Sequence, residues 1–442
     1  MLTPISNLQS AMNFPPPNYL PAPSSIPGIE IFAPAPDQPE DHRETVDFQC
    51  PQCGAATAYS VADGGLKCAH CGYYEPPQKE LVGKGAQEFE FKVEMLEQAA
   101  NARGWGEARR ELECQNCGAH TTLPTGALTA TCPFCASNKV LQREAPQDAL
   151  RPRFLIPFQR KPEELRPIVR EWLGSSWMTP AALKQKAAVG QLTPIYLPYW
   201  TFDSTASAQW RAEVGYNETE RYYDSSSKTW RTRTKIRWRW ENGQVRHPFD
   251  DLLIPGTTKL SALHLGKIGN FNTGGLIAYT AQFLAGMHAQ AYDVQLENAW
   301  ANARNQMRET TRAACHAQIR GNHVRNFTMS LDFSDESWRY VLLPVYVSAY
   351  QFNDGRGGLK TYQMLINGQT GAISGQRPVD WTKIWLAIAA LLAPGLLLGL
   401  IGIITLLLGF GLVIGIIGFV LLFIGGLIGF SIWQVADGMD HV

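Results

Sequence analysis

The sequence predicts an α+β membrane protein: two small four-cysteine zinc ribbons, an antiparallel-sheet α+β domain and a C-terminal two-helix transmembrane hairpin. Three observations predict it. Eight of nine cysteines fall in four Cys-x-x-Cys pairs, the middle region is β-rich from Ile195 to about Leu253 with strands returning after a helical zone, and residues Ile384 to Ala436 carry no charge. The chain has 442 residues, enough for two or three domains, and its formal net charge is zero. Bulk charge therefore gives no nucleic-acid signal.

Residues 1–46 contain ten prolines and little hydrophobic pattern, which predicts a disordered leader. Residues 47–75 hold the first cysteine set, Cys50, Cys53, Cys68 and Cys71. Residues 113–141 hold the second, Cys114, Cys117, Cys132 and Cys135. Both sets have fourteen residues between their pairs, and a shift of 64 superimposes all four cysteines together with Gly54 on Gly118, Ala55 on Ala119 and Thr57 on Thr121. This is an internal duplication. Two Cys-x-x-Cys turns supply four soft ligands in a tetrahedron, which suits a d10 ion, so two structural Zn2+ ions are expected. Such a site has no open coordination position and is not itself catalytic.

Disulfides would need an exported chain, and no basic start with an apolar run supports that. Iron–sulfur ligation by the same thiolates is the remaining alternative. His70 and His120 lie close to ligands and are read as surface imidazoles. Between the ribbons, residues 76–112 read as a linker, with a strand at Glu88 to Phe91 and a helix near Val93 to Arg103.

The main domain spans residues 152–378. A helix is expected from Pro162 to Leu173, where Leu165, Ile168, Val169 and Trp172 recur at helical spacing, and a second short helix follows Pro180. A β-rich stretch runs from Ile195 to about Leu253, then a helical zone from about Ala278 to Ile319. Strands return at Asn326 to Phe333, Arg339 to Gln351 and Lys360 to Ile366, the last closed by the turn Asn367-Gly-Gln-Thr-Gly.

One strand stands out. In Thr229 to Glu241, Arg231, Arg233, Lys235, Arg237 and Arg239 alternate with Trp230, Thr232, Thr234, Ile236, Trp238 and Trp240. A row of five cations beside aromatics suits an anionic partner: lipid headgroups, an acidic protein or a nucleic-acid backbone. The plainer reading is a half-buried strand whose basic face pairs with Glu218, Glu220 and Asp224 on a neighbour.

Residues 384–436 form an uncharged run of 53, far too long for one crossing of a bilayer core about 30 Å thick. Two spans are expected, near Trp385 to Leu408 and Leu412 to Trp433, turning at Gly409-Phe410-Gly411. Gly395/Gly399, Gly411/Gly415 and Gly425/Gly429 offer close helix packing. With no ionisable residue at membrane depth, the hairpin reads as an anchor rather than a channel or pump. Arg377 and Lys383 before the first span place both flanks in the cytoplasm.

The chain has no phosphate-binding loop, no Gly-x-Ser-x-Gly elbow and no His-Glu-x-x-His. Asp203, His247, Asp250 and Asp251 are read as turn polarity rather than acid–base groups, and Cys315 as a packed thiol in a helix. The chain is therefore expected to bind rather than catalyse.

Several segments then carry a resemblance: the Cys-x-x-Cys-Gly knuckles, Trp177-Met-Thr-Pro, Ile195-Tyr-Leu-Pro-Tyr-Trp-Thr-Phe-Asp, Pro248-Phe-Asp-Asp-Leu-Leu-Ile-Pro-Gly, Phe283-Leu-Ala-Gly-Met-His-Ala-Gln-Ala-Tyr, Leu343-Pro-Val-Tyr and Asn367-Gly-Gln-Thr-Gly. They resemble the bacterial membrane proteins labelled TFIIB-type zinc ribbon-containing, some of them labelled primosomal or replication-restart helicase-like. A helicase needs a P-loop, which this chain lacks. Other relatives look like anchors for phage-shock-type and SPFH (flotillin-like) proteins. The resemblance implies an inner-membrane adaptor, its head and both termini cytoplasmic, recruiting such partners in envelope stress. The alternative is a membrane-tethered nucleic-acid binder. The ribbons are expected to be display platforms held away from the membrane domain by short linkers.

Overall fold

The computed structural model describes residues 19–22, 31–34, 48–77, 81–85, 89–90, 110–122, 132–135, 137–144, 150–180, 183, 192–353, 359–405 and 411–440. The chain divides into Met1–Val46 and Asp47–Val442. In the first unit, β1 (Tyr19–Ala22) pairs antiparallel with β2 (Ile31–Pro34), so the expected structureless leader contains a short hairpin.

In the second unit each cysteine module is a small three-stranded sheet. The first has β3 (Thr57–Ser60), β4 (Gly65–Cys68) and β5 (Tyr74–Glu75). After β6 (Phe89–Glu90), the second has β7 (Arg110–Cys114), β8 (His120–Thr122) and β9 (Val140–Glu144). The helix expected near Val93 to Arg103, most of the short helix after Pro180 and the turn at Gly409-Phe410 lie outside the described residues.

The body is a nine-stranded sheet. Its frame is β11 (Thr193–Asp224), antiparallel to both β12 (Thr229–Pro255) and β15 (His323–Asn353). The short strands β10 (Phe154–Leu155), β13 (Ile277–Ala278) and β14 (His288–Ala289) extend it, as do β16 (Leu359–Asn367) and β17 (Ile373–Gly375). Two pairings are parallel, β10 with β15 and β11 with β14, so the sheet is mixed rather than purely antiparallel. The two strands expected at 326–333 and 339–351 are one. The polar residues between them form a bulge, with Asp335 at φ 55°, instead of a loop.

Period-2 alternation buries both faces of the sheet centre. Tyr196, Trp200 and Phe202 join Tyr340, Leu342 and Tyr346 in one core, while Ile195, Leu197 and Tyr199 join Val341, Leu343 and Val345 in the other. Helix α1 (Pro162–Gly174) starts with proline at its first turn and seats Leu165, Val169 and Leu173 in the first core. After the short α2 (Ala262–Lys267), α3 (Leu296–Gln318) buries Ala299, Ala303, Met307, Thr311 and Cys315 along one stripe. This helix is shorter than the expected zone from Ala278, because residues 281–284 form only a 3-10 turn.

The last two helices, α4 (Trp381–Ile404) and α5 (Gly411–Asp440), are long and apolar enough to cross a membrane. Their glycines are spaced by seven, Gly395 and Gly402 on one and Gly411, Gly418 and Gly425 on the other, all buried. Seven residues are two turns, so each row lines one seam. A Cβ on Gly402 would stand 2.6 Å from Gly415 N, and one on Gly418 would stand 2.6 Å from Gly399 N. Gly399 and Gly415 thus contribute bare backbone, and the expected four-residue pairs Gly395/Gly399 and Gly411/Gly415 line the seam together with the heptad rows. Gly418→Leu is expected to force the helices apart at a cost of roughly 2–3 kcal/mol, while Gly426→Leu, with nothing within 4 Å of its Cβ, leaves stability unchanged. Thermal unfolding of the two variants in detergent checks this.

The hairpin is locked to the body. Arg377 N donates to Met439 O (2.9 Å), and the buried Asp440 carboxylate accepts from Tyr362 Oη (2.8 Å) and Lys360 Nζ (3.1 Å). Asp380 caps α4 by accepting from Lys383 N (3.3 Å). These contacts explain why α4 begins at Trp381 and α5 reaches Asp440, beyond the expected spans. Arg377 donates to Trp172 O (3.0 Å) and Ser175 Oγ (2.8 Å), so this flanking cation is a structural clamp.

Candidate functional site

The four Cys-x-x-Cys turns have one design. The first cysteine's N–H donates to the carbonyl five residues on: Cys50 to Ala55 (2.7 Å), Cys68 to Tyr73 (2.8 Å), Cys114 to Ala119 (2.9 Å) and Cys132 to Ser137 (2.9 Å). Gly54, Gly72 and Gly118, each following the second cysteine, have φ of 70°, 78° and 66°, a region that costs glycine nothing. The turns aim their sulfurs inward. The Sγ atoms of each set lie within 4.8 Å of one another. Cys50–Cys71 is 3.4 Å, and Cys53–Cys68, Cys114–Cys135 and Cys117–Cys132 are each 3.6 Å. A tetrahedron of zinc–sulfur bonds about 2.3 Å long has edges of about 3.8 Å, whereas a disulfide is about 2.05 Å. The eight thiols are free and both sets are positioned to bind a metal ion. Within the first set the N–H groups of Cys71 and His70 pull the Cys68 thiol down to about 6, while burial and the neighbouring sulfurs push Cys53 and Cys71 up, because thiols this close share their protons. Neither His70 nor His120 belongs to these clusters among the described residues, and His120 lies 3.5 Å from Glu111.

The modules are built into the body on opposite faces of its sheet. Phe48, Tyr59 and Leu66 of the first belong to the core with Trp200 and Phe283, and Tyr59 N donates to Ala285 O (2.8 Å). Cys114, Ala119, Cys132 and Phe134 of the second belong to the core with Leu197 and Val341. Thr122 Oγ1 and Ala289 exchange hydrogen bonds of 3.1 and 3.0 Å, and Gln363 Nε2 donates to Phe134 O (2.9 Å). The expected platforms on linkers are therefore corrected. Modules too small for a core of their own borrow the body's core.

The basic strand is half of a hairpin arm. β15 leaves β11 at Gly215, and β11 and β12 continue alone to the pair Asp224 and Thr229. The expected half-burial is absent: Trp230 is 64% exposed and Trp240 54%. Arg231, Arg233 and Arg237 reach Asp224 (3.2 Å), Glu220 (3.0 Å) and Glu218 (3.3 Å), as strand pairing suggested. Arg239 stacks on Tyr216 at 4.5 Å. No ion pair of Lys235 is seen among the described residues. The arm's tip lies at the far end of β11 from the helices. Tyr362, which holds Asp440, pairs with Tyr350, beyond the pair Thr193 and Val347. A strand of 32 residues runs about 100 Å at 3.3 Å per residue, which weakens the expectation of a headgroup-binding arm close to its own anchor.

The structure also gathers Asp203, Asp250 and Asp251, which a turn reading kept apart. Asp203 sits at a register shift in β11, and Asp251 at φ 56° in β12. Fully buried Arg339 donates to both carboxylates, and Lys84 pairs with Asp250. His247 lies in β12, edge-on to Phe249 at 4.6 Å. Cys315 is fully buried beside Met329, as a packed thiol should be.

These features define a sheet-rich α+β protein with two four-cysteine centres and a helical hairpin of membrane-spanning length. Its sequence is 24% identical over 342 residues to a Bacillus subtilis (strain 168) protein described as "Uncharacterized protein YdjG", covering 77% of this chain and 92% of that protein. No protein-family model matches the chain, and no solved structure matches it.

Proposed function

We propose that this chain is a membrane-anchored adaptor of the TFIIB-type zinc-ribbon kind. Its two Zn2+ ions are structural, its hairpin sits in a bacterial inner membrane, and its head and both termini are cytoplasmic. It recruits a cytosolic protein of the phage-shock or SPFH type. The observation that carries this reading is the rigid line from anchor to arm. Asp440 ties the hairpin to β16, β16 pairs with β15, β15 with β11, and β11 ends in an exposed arm far along the sheet. Four-thiolate centres have no position left for a substrate, which favours binding over chemistry. A second reading, a membrane-tethered nucleic-acid binder, draws on the exposed indoles interleaved with arginines on that arm.

Affinity purification of the detergent-solubilised, nuclease-treated protein, read by mass spectrometry, tests both. A phage-shock-type or SPFH protein is expected to co-purify. Recovery of DNA or RNA without nuclease and of no protein with it, with an affinity falling steeply with salt, would replace the adaptor by the nucleic-acid binder.

A further inference from the structure

Resting on the adaptor reading, we propose that the outer edge of β12, from Thr229 to Asn242, captures its partner by strand addition, and that the partner segment alternates acidic with apolar residues. The sheet order ends at β12, so its outward N–H and C=O groups have no strand beside them among the described residues. Exposed edges of this length recruit another strand unless something prevents it. Here the side chains choose the guest. On one face β12 presents Arg231, Arg233, Lys235, Arg237 and Arg239, and on the other Trp230, Ile236, Trp238 and Trp240.

A strand added at this edge has its own two faces in register with these. Its residues beside the cations gain from being acidic, since opposite charges on neighbouring strands attract. The acids of β11 already serve the inner side: Asp224 and Glu220 hold Arg231 and Arg233, Glu218 stands opposite Lys235 in register but reaches Arg237, and Arg239 stacks on Tyr216, which holds Glu241, so the five cations of this face outnumber the carboxylates beside them. On the other face the guest's apolar residues would cover the exposed indoles of Trp230 and Trp240 and the open edge of half-buried Trp238. Arg325 already lies over Trp238 (3.9 Å) and Arg211 over Trp240 (4.6 Å), which props the rings against the sheet and keeps that platform formed before any partner arrives.

A second copy of this chain is a poorer guest. With like faces aligned, pairing β12 with its own copy over Arg231 to Arg239 sets cation against cation, and like charges across strands repel. A register shifted by one residue sets cations against indoles instead but brings them no carboxylate, so an acidic complement is the better match.

The test uses the full chain in detergent micelles and a fluorescein-labelled peptide of about twelve residues that alternates glutamate with valine or threonine, long enough to span the open edge. Binding is expected by anisotropy, weakened by about tenfold or more in Lys235→Glu/Arg239→Glu. It should weaken similarly for a peptide of the same composition with its glutamates clustered. Hydrogen exchange should show the peptide protecting every second amide between Thr229 and Asn242. Equal binding of the clustered peptide, or no alternate protection, overturns strand addition. So does an oligo-dT that displaces the peptide and binds more tightly, which would assign the arm to nucleic acid. If the co-purified protein is retained by Lys235→Glu/Arg239→Glu, strand addition fails while the adaptor reading stands. If no protein co-purifies at all, the adaptor reading itself fails.

Discussion

Cys132→Ser is expected to destabilise the body as well as the small module that contains the cysteine. Cys132 and Cys114 are 1% and 0% exposed, and they share a core with Ile195, Leu197, Val341 and Leu343, the centre of the main sheet. Losing the metal removes the constraint that folds the turns, which is worth about 10–16 kcal/mol in isolated zinc-finger peptides. It also leaves buried thiols facing one another. Part of that loss is absorbed because the sheet keeps its own contacts, so a net cost of at least about 3–5 kcal/mol is expected. Thermal unfolding of the detergent-solubilised protein should show one earlier transition that includes the body, and one equivalent of zinc should disappear by metal analysis. Cys315→Ser, at a buried cysteine outside both clusters, should keep both metals and shift the transition far less. A body that melts unchanged after Cys132→Ser would show that residues 154–378 fold independently of the ribbons.

The packing of the modules into the body is not legible in the sequence, for an identifiable reason. The duplication by 64 residues and the even gaps locate the sulfurs, because a closed metal site is specified by local spacing. What the modules rest on is specified by nothing local. Phe48, Tyr59 and Phe134 are ordinary apolar residues in the sequence, and contacts such as Tyr59 with Phe283 and Gln363 with Phe134 O cross more than two hundred residues. The same contrast holds elsewhere. The uncharged run announces two helices long and apolar enough to cross a membrane, yet the tie from Asp440 to Tyr362 and Lys360 crosses some eighty residues and leaves no pattern. The alternation in Thr229 to Glu241 gives the strand and its two faces correctly. It cannot say that neighbouring strands stop short, so a strand with a row of indoles reads as half-buried when it is an exposed arm. The polar residues at Asp203, Asp250 and Asp335 look like turns because bulges use the same residue types that turns use.

Arg339→Met is the sharpest test of what those bulges are for. The arginine is 1% exposed on β15, and the side chains of Asp251 and Asp203 that it bonds are 4% and 14% exposed. Each bulge turns one carboxylate toward the same guanidinium, so three strands are pinned at one level of the sheet. A methionine of similar length leaves the carboxylates buried without that cation, and breaking a buried pair in this way costs about 3–5 kcal/mol. The loss should appear in urea or thermal unfolding of the solubilised protein. The charge explanation makes a further demand: adding Asp203→Asn and Asp251→Asn to Arg339→Met should recover much of the stability, because the desolvated charges are then gone. If the triple variant is no more stable than Arg339→Met alone, the arginine acts through its volume and its remaining contacts rather than its charge. Recovery would mean that the bulges exist to bring carboxylates to Arg339, and that this charge cluster fixes the register from which the arm extends.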